Sequence, residues 1–307
     1  MQKIFDIPRE DLTDRQLMQP GVLSCQGCGG SIAMKLALKG LGRNTVIVLP
    51  ASCMSIIAGV WPNTAIQLPI LHIPFATAAV AASGVRAALD VRGEEDVLVM
   101  AWAGDGGTFD IGLQSLSGAA ERNENILYVC YDNEAYMNTG IQRSSATPPG
   151  AWTTTTPAGA EKSEPKKDLE QIMLAHQIPY LATASIAYPD DLVHKFRRVR
   201  TIKGMRFIHL LAPCPPGWRS DPGLTVRISR KATLSKVFPI YEVDNGQYRI
   251  NVIPDEETPV SEYLNLQGRF KQMPQEMISA MQTQADRRWA ALREKAAVSR
   301  NADGTNY

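Results

Sequence analysis

Two short segments carry the residue types from which metal and phosphate chemistry is built. In the first, Ala103–Gly112 (AGDGGTFDIG), Asp105 stands between Gly104 and Gly106, with Gly107 following at once. It follows the apolar run DVLVMAW and leads into a stretch with helical patterning. A glycine-rich turn at a strand end lets backbone N–H groups approach a phosphate, because no side chain intervenes. A carboxylate among those glycines suits Mg²⁺, a hard cation that takes few protein ligands and keeps phosphate oxygens in its octahedron. Such a site needs a second loop of oxygen donors on the neighbouring strand. The second segment supplies one: NILYVCY runs into DNEAYMNTG, and 25 residues (107–131) separate Gly106 from the pair Asp132-Asn133.

Cysteines form the other reactive set. Cys25 and Cys28 make a C-x-x-C in the glycine-rich loop SCQGCGG, Cys53 follows the apolar run TVIVLPA, and Cys214 follows RFIHLLA. In a reducing compartment such spaced thiols more often mean metal or catalysis than disulfides. Four such thiolates, two of them at strand ends, suit a [4Fe–4S] cluster, and the prolines after Cys214 match the Cys-Pro that closes ferredoxin cluster motifs. A Cys₄ zinc site would use the same ligands, and spacing alone does not separate the two. Cys130 falls inside a strand and reads as a buried core thiol.

The elements that must position these residues alternate. TVIVLPA (45–51), VLVMAW (97–102), NILYVCY (125–131), PYLATASI (179–186) and RFIHLLA (206–212) read as strands, with SIAMKLALKGL, TAAVAASGVRAAL, IGLQSLSGAAER, DLEQIMLAH and DDLVHKFRRVRTI as helices among them. Near-continuous apolar strands alternating with helices predict a doubly wound, mostly parallel α/β sheet, with ligands beyond the carboxyl ends of the strands. Residues 1–215 are expected to form this binding domain. Residues 216–307, with looser β-like pieces and a charged helical tail, are expected to be an extension packed on the core or on a partner. The segment 143–167, rich in Thr, Pro and Gly, is too long for an idle connection and reads either as a cover over the site or as a solvated loop.

Composition narrows the function classes. Of 307 residues, 44% are hydrophobic and 21% charged, and 32 basic side chains against 31 acidic ones leave a net charge of +1. That balance gives no reason to expect nucleic acid or an anionic membrane as partner. No apolar run reaches the length of a membrane span, and MQKIFDIPREDLTDRQ has no apolar h-region, so a cytoplasmic protein is expected.

The paired loops resemble the thiamine diphosphate motif, in which Gly-Asp-Gly is followed, at the spacing seen here, by a pair usually written Asn-Asn; Asp132 departs at its first position. The motif implies Mg²⁺ held by the Asp105 carboxylate, the Asn133 amide oxygen and the Ala135 carbonyl, with Gly104, Gly106 and Gly107 beside the diphosphate. Two ordinary strand–helix turns are the alternative.

From about Gly21 to about Phe270 the chain resembles the β subunit of the 2-oxoacid:ferredoxin oxidoreductases, especially the pyruvate synthase branch. The blocks that carry the resemblance are GDGGTFDIGLQSLSGA, YDNEAYMNTGIQRSSATPPGAWTTTTPAG, PKKDL, IPYLATASIAYP and LAPCPPGW. It implies thiamine diphosphate, Mg²⁺ and a [4Fe–4S] cluster on Cys25, Cys28, Cys53 and Cys214, with electrons from an oxidative decarboxylation leaving to ferredoxin. Asn138 is the candidate for a polar contact to substrate. His72 matches a family histidine, and Arg143 is a candidate partner for an anionic group. The carboxylate that activates the cofactor's aminopyrimidine is expected from a partner subunit, so this chain alone should be inactive.

Two departures bear on substrate. Ser52-Cys53-Met54-Ser55 stands where the branch commonly reads Gly-Cys-(Met/Leu)-Glu, and Phe75-Ala76-Thr77 where it reads Phe-Glu-Asn. Each removes an acid beside a site element, which relieves repulsion toward a dianion by about 1 kcal/mol at solvated contact distance. On that ground oxalate, cleaved to CO₂, is expected ahead of pyruvate, which would give acetyl-CoA. A non-redox thiamine diphosphate decarboxylase or carboligase, and a subunit with a degenerate cofactor site, are the readings from other classes.

Overall fold

Six runs rich in β-branched and aromatic residues pair side by side as the parallel part of one sheet. They are β1 (Thr45–Pro50), β2 (Ile70–Ile73), β3 (Leu98–Gly104), β4 (Leu127–Asp132), β5 (Tyr180–Ser185) and β6 (Arg206–Leu211). A hairpin, β7 (Tyr241–Asp244) and β8 (Gln247–Ile250), adds two antiparallel strands, and the order across the eight-stranded sheet is β2-β1-β3-β4-β6-β5-β7-β8. The computed structural model describes residues 16–254 and 258–302; the segment read above for a leader lies, up to residue 15, outside the described residues.

Side chains alternate across the sheet with the period of two that a strand imposes. Ile47, Met100, Trp102, Val129 and Ile208 enter one core, while Val48, Val99, Ala101, Tyr128 and Phe207 enter the other. The helices α1 (Gly29–Leu41), α2 (Cys53–Ala58) and α6 (Pro189–Arg198) contribute to the first face, and α3 (Ala78–Val91), α4 (Leu113–Glu121) and α5 (Leu169–Ala175) to the second. Each large side chain so buried contributes about 1.5–3 kcal/mol. The sequence sets the helix ends too: α6 starts on Pro189 with Asp190 and Asp191 in its first turn and finishes on Lys195, Arg197 and Arg198, in the sense the helix dipole favours. The expectation of a doubly wound, mostly parallel α/β sheet holds.

The chain beyond residue 215 joins this body. Asn245 (φ 47°) and Gly246 (φ 82°) turn β7 into β8, and this Asn-Gly pair is the strongest short signal for such a hairpin. The short α7 (Pro215–Trp218), α8 (Thr225–Leu234) and α9 (Val260–Leu264) build a third core around Trp218, Ile228, Phe238 and Tyr263. The last helix, α10 (Gln275–Ala302), places Trp289 and Leu292 in the second core.

Candidate active site

The order of the four central strands decides what meets at the carboxyl edge. From β1 the chain moves outward to β2, then returns to β3 on the other side of β1, and such a reversal opens a crevice beyond the strand ends. Reading β1-β3-β4-β6 across that edge gives Cys53, Asp105, Asn133 and Cys214. The oxygen donors therefore lie on the inner pair of strands and two thiols on the outer pair.

The C-x-x-C loop reaches the same edge through α1. Cys28 precedes the helix, and the Gly29 N–H donates to the Pro213 carbonyl (3.0 Å), next to Cys214. A Cβ on Gly29 would lie 2.7 Å from that oxygen, so glycine is required for the approach. Burial pushes the Cys53 thiol up to about 11, with Cys28 and Cys25 adding to it, and pushes Cys214 up to about 12, with Cys53, Cys28 and Cys25 adding. The four predicted thiols thus share one electrostatic neighbourhood, and Cys25 is exposed. Cys130 is apart from them, fully buried within β4. Among the described residues, no three His, Cys, Asp or Glu side chains converge closely enough to hold one metal ion.

Asp105 leaves the end of β3 and opens a π-helical turn, Gly106–Asp110. Its carboxylate is buried and accepts from the Ser144 hydroxyl (2.5 Å). Burial holds its pKa well above the usual carboxylate range and Asp132 adds to this, while Ser144 and Lys166 oppose it. One end of the Asn133 amide lies 2.9 Å from both the Ala135 carbonyl and Asp105 Oδ1. With the amide oxygen at that end, three acceptors meet with no proton between them; with the nitrogen there, it donates to both. The first arrangement is what a hard cation with oxygen ligands asks for. Beside it Gly106 packs under Tyr136, whose ring would stand 2.4 Å from any Cβ, and the Tyr136 hydroxyl donates to Asp110 (2.9 Å).

Behind the oxygen cluster lies a buried ionic chain that sequence reasoning did not single out. Asp132 accepts from Lys166 (2.5 Å) and His209 (2.8 Å), and its other oxygen accepts from the Glu134 N–H (2.9 Å). His209 also meets Glu170 (2.9 Å), and Glu134 meets Lys166 (2.8 Å) and Arg269 (2.5 Å). Burial alone would lower the His209 pKa, but Glu170 and Asp132 outweigh it and raise it to about 9. Lys166 and His209 likewise hold Asp132 below the usual range against its burial. The departure from Asn-Asn has its reason here: a carboxylate at 132 stands between two buried cations. The only signal in the sequence was that departure, beside the PKKDL block that contains Lys166.

The remaining candidates sit at the rim. Asn138 is exposed in the turn after Tyr136, and His72 is exposed on β2 with Nε2 3.2 Å from the Gly59 carbonyl. Arg143 stands 3.6 Å from Glu164. Ser55 donates to the Pro50 carbonyl (2.9 Å), and the Ala76 carbonyl accepts from Ser115 (3.1 Å). The segment 143–167 is packed in its first part, where Ser144, Thr147 and Thr153 are buried, and exposed at 157–160 and 163–165, with Lys162 buried between them and donating to the Thr147 carbonyl (2.6 Å).

Fold and sequence comparisons define the class first. The family described as thiamine pyrophosphate enzyme, C-terminal TPP binding domain, matches residues 51–210, which run from the residue after β1 into β6. The solved 2-oxoglutarate:ferredoxin oxidoreductase from Magnetococcus marinus, with 2-oxoglutarate, coenzyme A and succinyl-CoA bound, shares the fold at a TM-score of 0.56 and 22% identity, over 75% of this chain and 82% of that one. Among relatives, ketoisovalerate oxidoreductase subunit VorB of Pyrococcus abyssi is 49% identical over 91% of this chain and 93% of its own. Pyruvate synthase subunit PorB of Methanothermobacter marburgensis is 49% identical over 90% and 96%, and PorB of Methanocaldococcus jannaschii 43% over 94% and 99%. The chain belongs to the β subunits of the 2-oxoacid:ferredoxin oxidoreductases, and is one subunit of a thiamine diphosphate-dependent oxidoreductase.

Proposed function

We propose that this subunit carries Mg²⁺-thiamine diphosphate and a [4Fe–4S] cluster for the ferredoxin-linked oxidative decarboxylation of a short 2-oxo acid, with pyruvate as substrate and coenzyme A as acyl acceptor. The observation that carries it is the meeting of the Asp105 carboxylate, one end of the Asn133 amide and the Ala135 carbonyl at the ends of β3 and β4. Those three groups would hold the Mg²⁺, and the glycines at 104, 106 and 107 would leave the backbone open to the diphosphate. Cys25, Cys28, Cys53 and Cys214 would hold the cluster. A cluster suits an oxidoreductase better than zinc, which has no redox chemistry and could not take up electrons. When bound, the cofactor supplies the electron sink for loss of CO₂ and the cluster takes up the electrons.

The protein's own contribution is placement. The buried Asp132–Lys166–His209 chain fixes the backbone that presents Asn133, and Asn138 at the rim offers a polar contact to the substrate. A partner subunit supplies the carboxylate for the aminopyrimidine. Overall, pyruvate and the coenzyme A thiol give acetyl-CoA, CO₂, one proton and two electrons, which pass singly to ferredoxin. Among the described residues no helix is long and apolar enough to cross a membrane, and five cysteines in no disulfide suit the reducing cytoplasm.

Pyruvate stands ahead of oxalate because relatives sharing nearly half of the sequence are named for pyruvate and for ketoisovalerate. The Ser55 hydroxyl is engaged by Pro50, so the charge argument for oxalate finds no further contact on this chain. The second relative makes 2-oxoisovalerate the alternative substrate. Anaerobic purification of the native complex, with cofactor analysis and dye reduction by each acid, tests the reading. Pyruvate-driven reduction requiring coenzyme A is expected; reduction by oxalate alone would overturn the substrate. Cys53→Ser should lower iron content, whereas Cys130→Ser should leave it unchanged.

A further inference from the structure

On the far side of the metal-loop backbone lies a cavity of about 300 Å³ that the reaction does not use. It opens between α10, the β7–β8 hairpin and the loops before α5 and β7. Its walls are apolar, from Phe238, Tyr241, Tyr248, Phe270 and Leu292. The inner end is closed by Glu134, Lys166, His209 and Glu170. Within that group every charge has a buried opposite: Glu170 with His209, Asp132 with His209 and Lys166, Glu134 with Lys166 and Arg269. The floor therefore offers no free charge to a ligand.

The mouth differs. Lys236, Arg288 and Lys295 line it. Lys236 pairs with Asp286 (3.0 Å), which is half exposed. Arg288 stands 3.9 Å from Asp168, with both side chains over 40% exposed, so that attraction is largely screened. Lys295 has a neutral partner, Gln171 (3.0 Å), and lies over the Tyr248 ring. Cations in excess thus ring an apolar hollow whose far wall is electrically balanced.

We propose that this cavity binds a small amphipathic organic anion, a carboxylate carrying an apolar chain or ring, with its head at Arg288 and Lys295 and its tail among the aromatic walls. At about 30 Å³ for each water-sized group, the space takes about ten non-hydrogen atoms. Specificity follows from the two ends: the cations select the charge, and the closed floor limits the length. The ligand would also touch the ionic chain that fixes Asn133, so its binding can alter how the metal loop is held. The site is independent of which 2-oxo acid the enzyme oxidises.

Octanoate, an anion of suitable size, is the probe, titrated calorimetrically into the native complex with neutral octanamide alongside. One saturable site per chain is expected, with octanamide at least tenfold weaker. Leu292→Trp, which fills the hollow, and the exposed Arg288→Ser should each weaken octanoate at least fivefold while thiamine diphosphate and iron contents stay at wild-type level. Absent or non-saturating octanoate binding, equal affinity for octanamide, or binding unchanged in both variants would each overturn the proposal. Cofactor contents, measured on the same samples, report separately on the function proposed above.

Discussion

Asp105 and Asp132 are both buried carboxylates at the ends of the adjacent strands β3 and β4, yet their surroundings push them in opposite directions. Asp105 faces a hydroxyl and other acceptors, so burial dominates and its charged form is disfavoured. Asp132 faces Lys166 and His209, so its charged form is secured. The unsatisfied one is the one a cation would complete. Asp105→Asn should reduce thiamine diphosphate retention at least a hundredfold, measured by cofactor titration, while the melting temperature of the cofactor-free protein does not fall. The neutral isostere removes a buried charge that the fold does not itself balance.

His209 makes the second prediction at this scale. Its folded pKa, about 9, exceeds the unfolded value of 6.5. A raised pKa contributes stability that is fully present below pH 6.5 and is lost as pH rises through about 9. Melting temperature should therefore decline between those values. In Asp132→Asn the decline should be smaller and end at lower pH, because one of the two carboxylates that raise the folded pKa is gone. An unchanged profile would mean that His209 does not carry the effect.

At the scale of elements, the loop after β4 is held in part from the C-terminal part of the chain. The Trp218 indole donates to the Asn133 carbonyl (2.7 Å), and Arg269 reaches Glu134 while lying 3.9 Å over the Trp218 ring. Glu134 itself has φ of 65°, a left-handed backbone that a side chain adopts only when its surroundings fix it. Arg269→Ala leaves a buried carboxylate with one cation instead of two. A loss of about 3 kcal/mol in unfolding free energy is expected, within the range for breaking a buried pair. Cofactor affinity should fall with it and recover in part in Arg269→Lys. Loss of stability with unchanged cofactor affinity would show that the pair braces the fold but not the loop.

Over the whole molecule, α10 closes the second core at the edge where the parallel strands give way to the hairpin. Trp289 is nine-tenths buried there. Trp289→Ala should cost about 3–5 kcal/mol, as for other large-to-small aromatic changes, read from denaturant unfolding. A smaller cost would mean that the helix is only loosely attached. The strands and the helices between them were legible in the sequence, because each buries a continuous face and so carries an unmistakable period. The short β2, with its mixed exposure, and the π-helical turn after Asp105 carry no such period and went unread.

What the sequence determined by itself was the set of residues at the carboxyl edge. Glycine, aspartate, asparagine and cysteine stand directly after apolar strands, so their place follows from local order and from the geometry of a parallel sheet. Only the tertiary structure decided how that edge is held and charged. Asp132 and His209 are 77 residues apart, and Glu134 and Arg269 are 135 apart. Each is an ordinary charged residue until the fold removes water from around it, and burial, which no local pattern announces, makes the pairing obligatory.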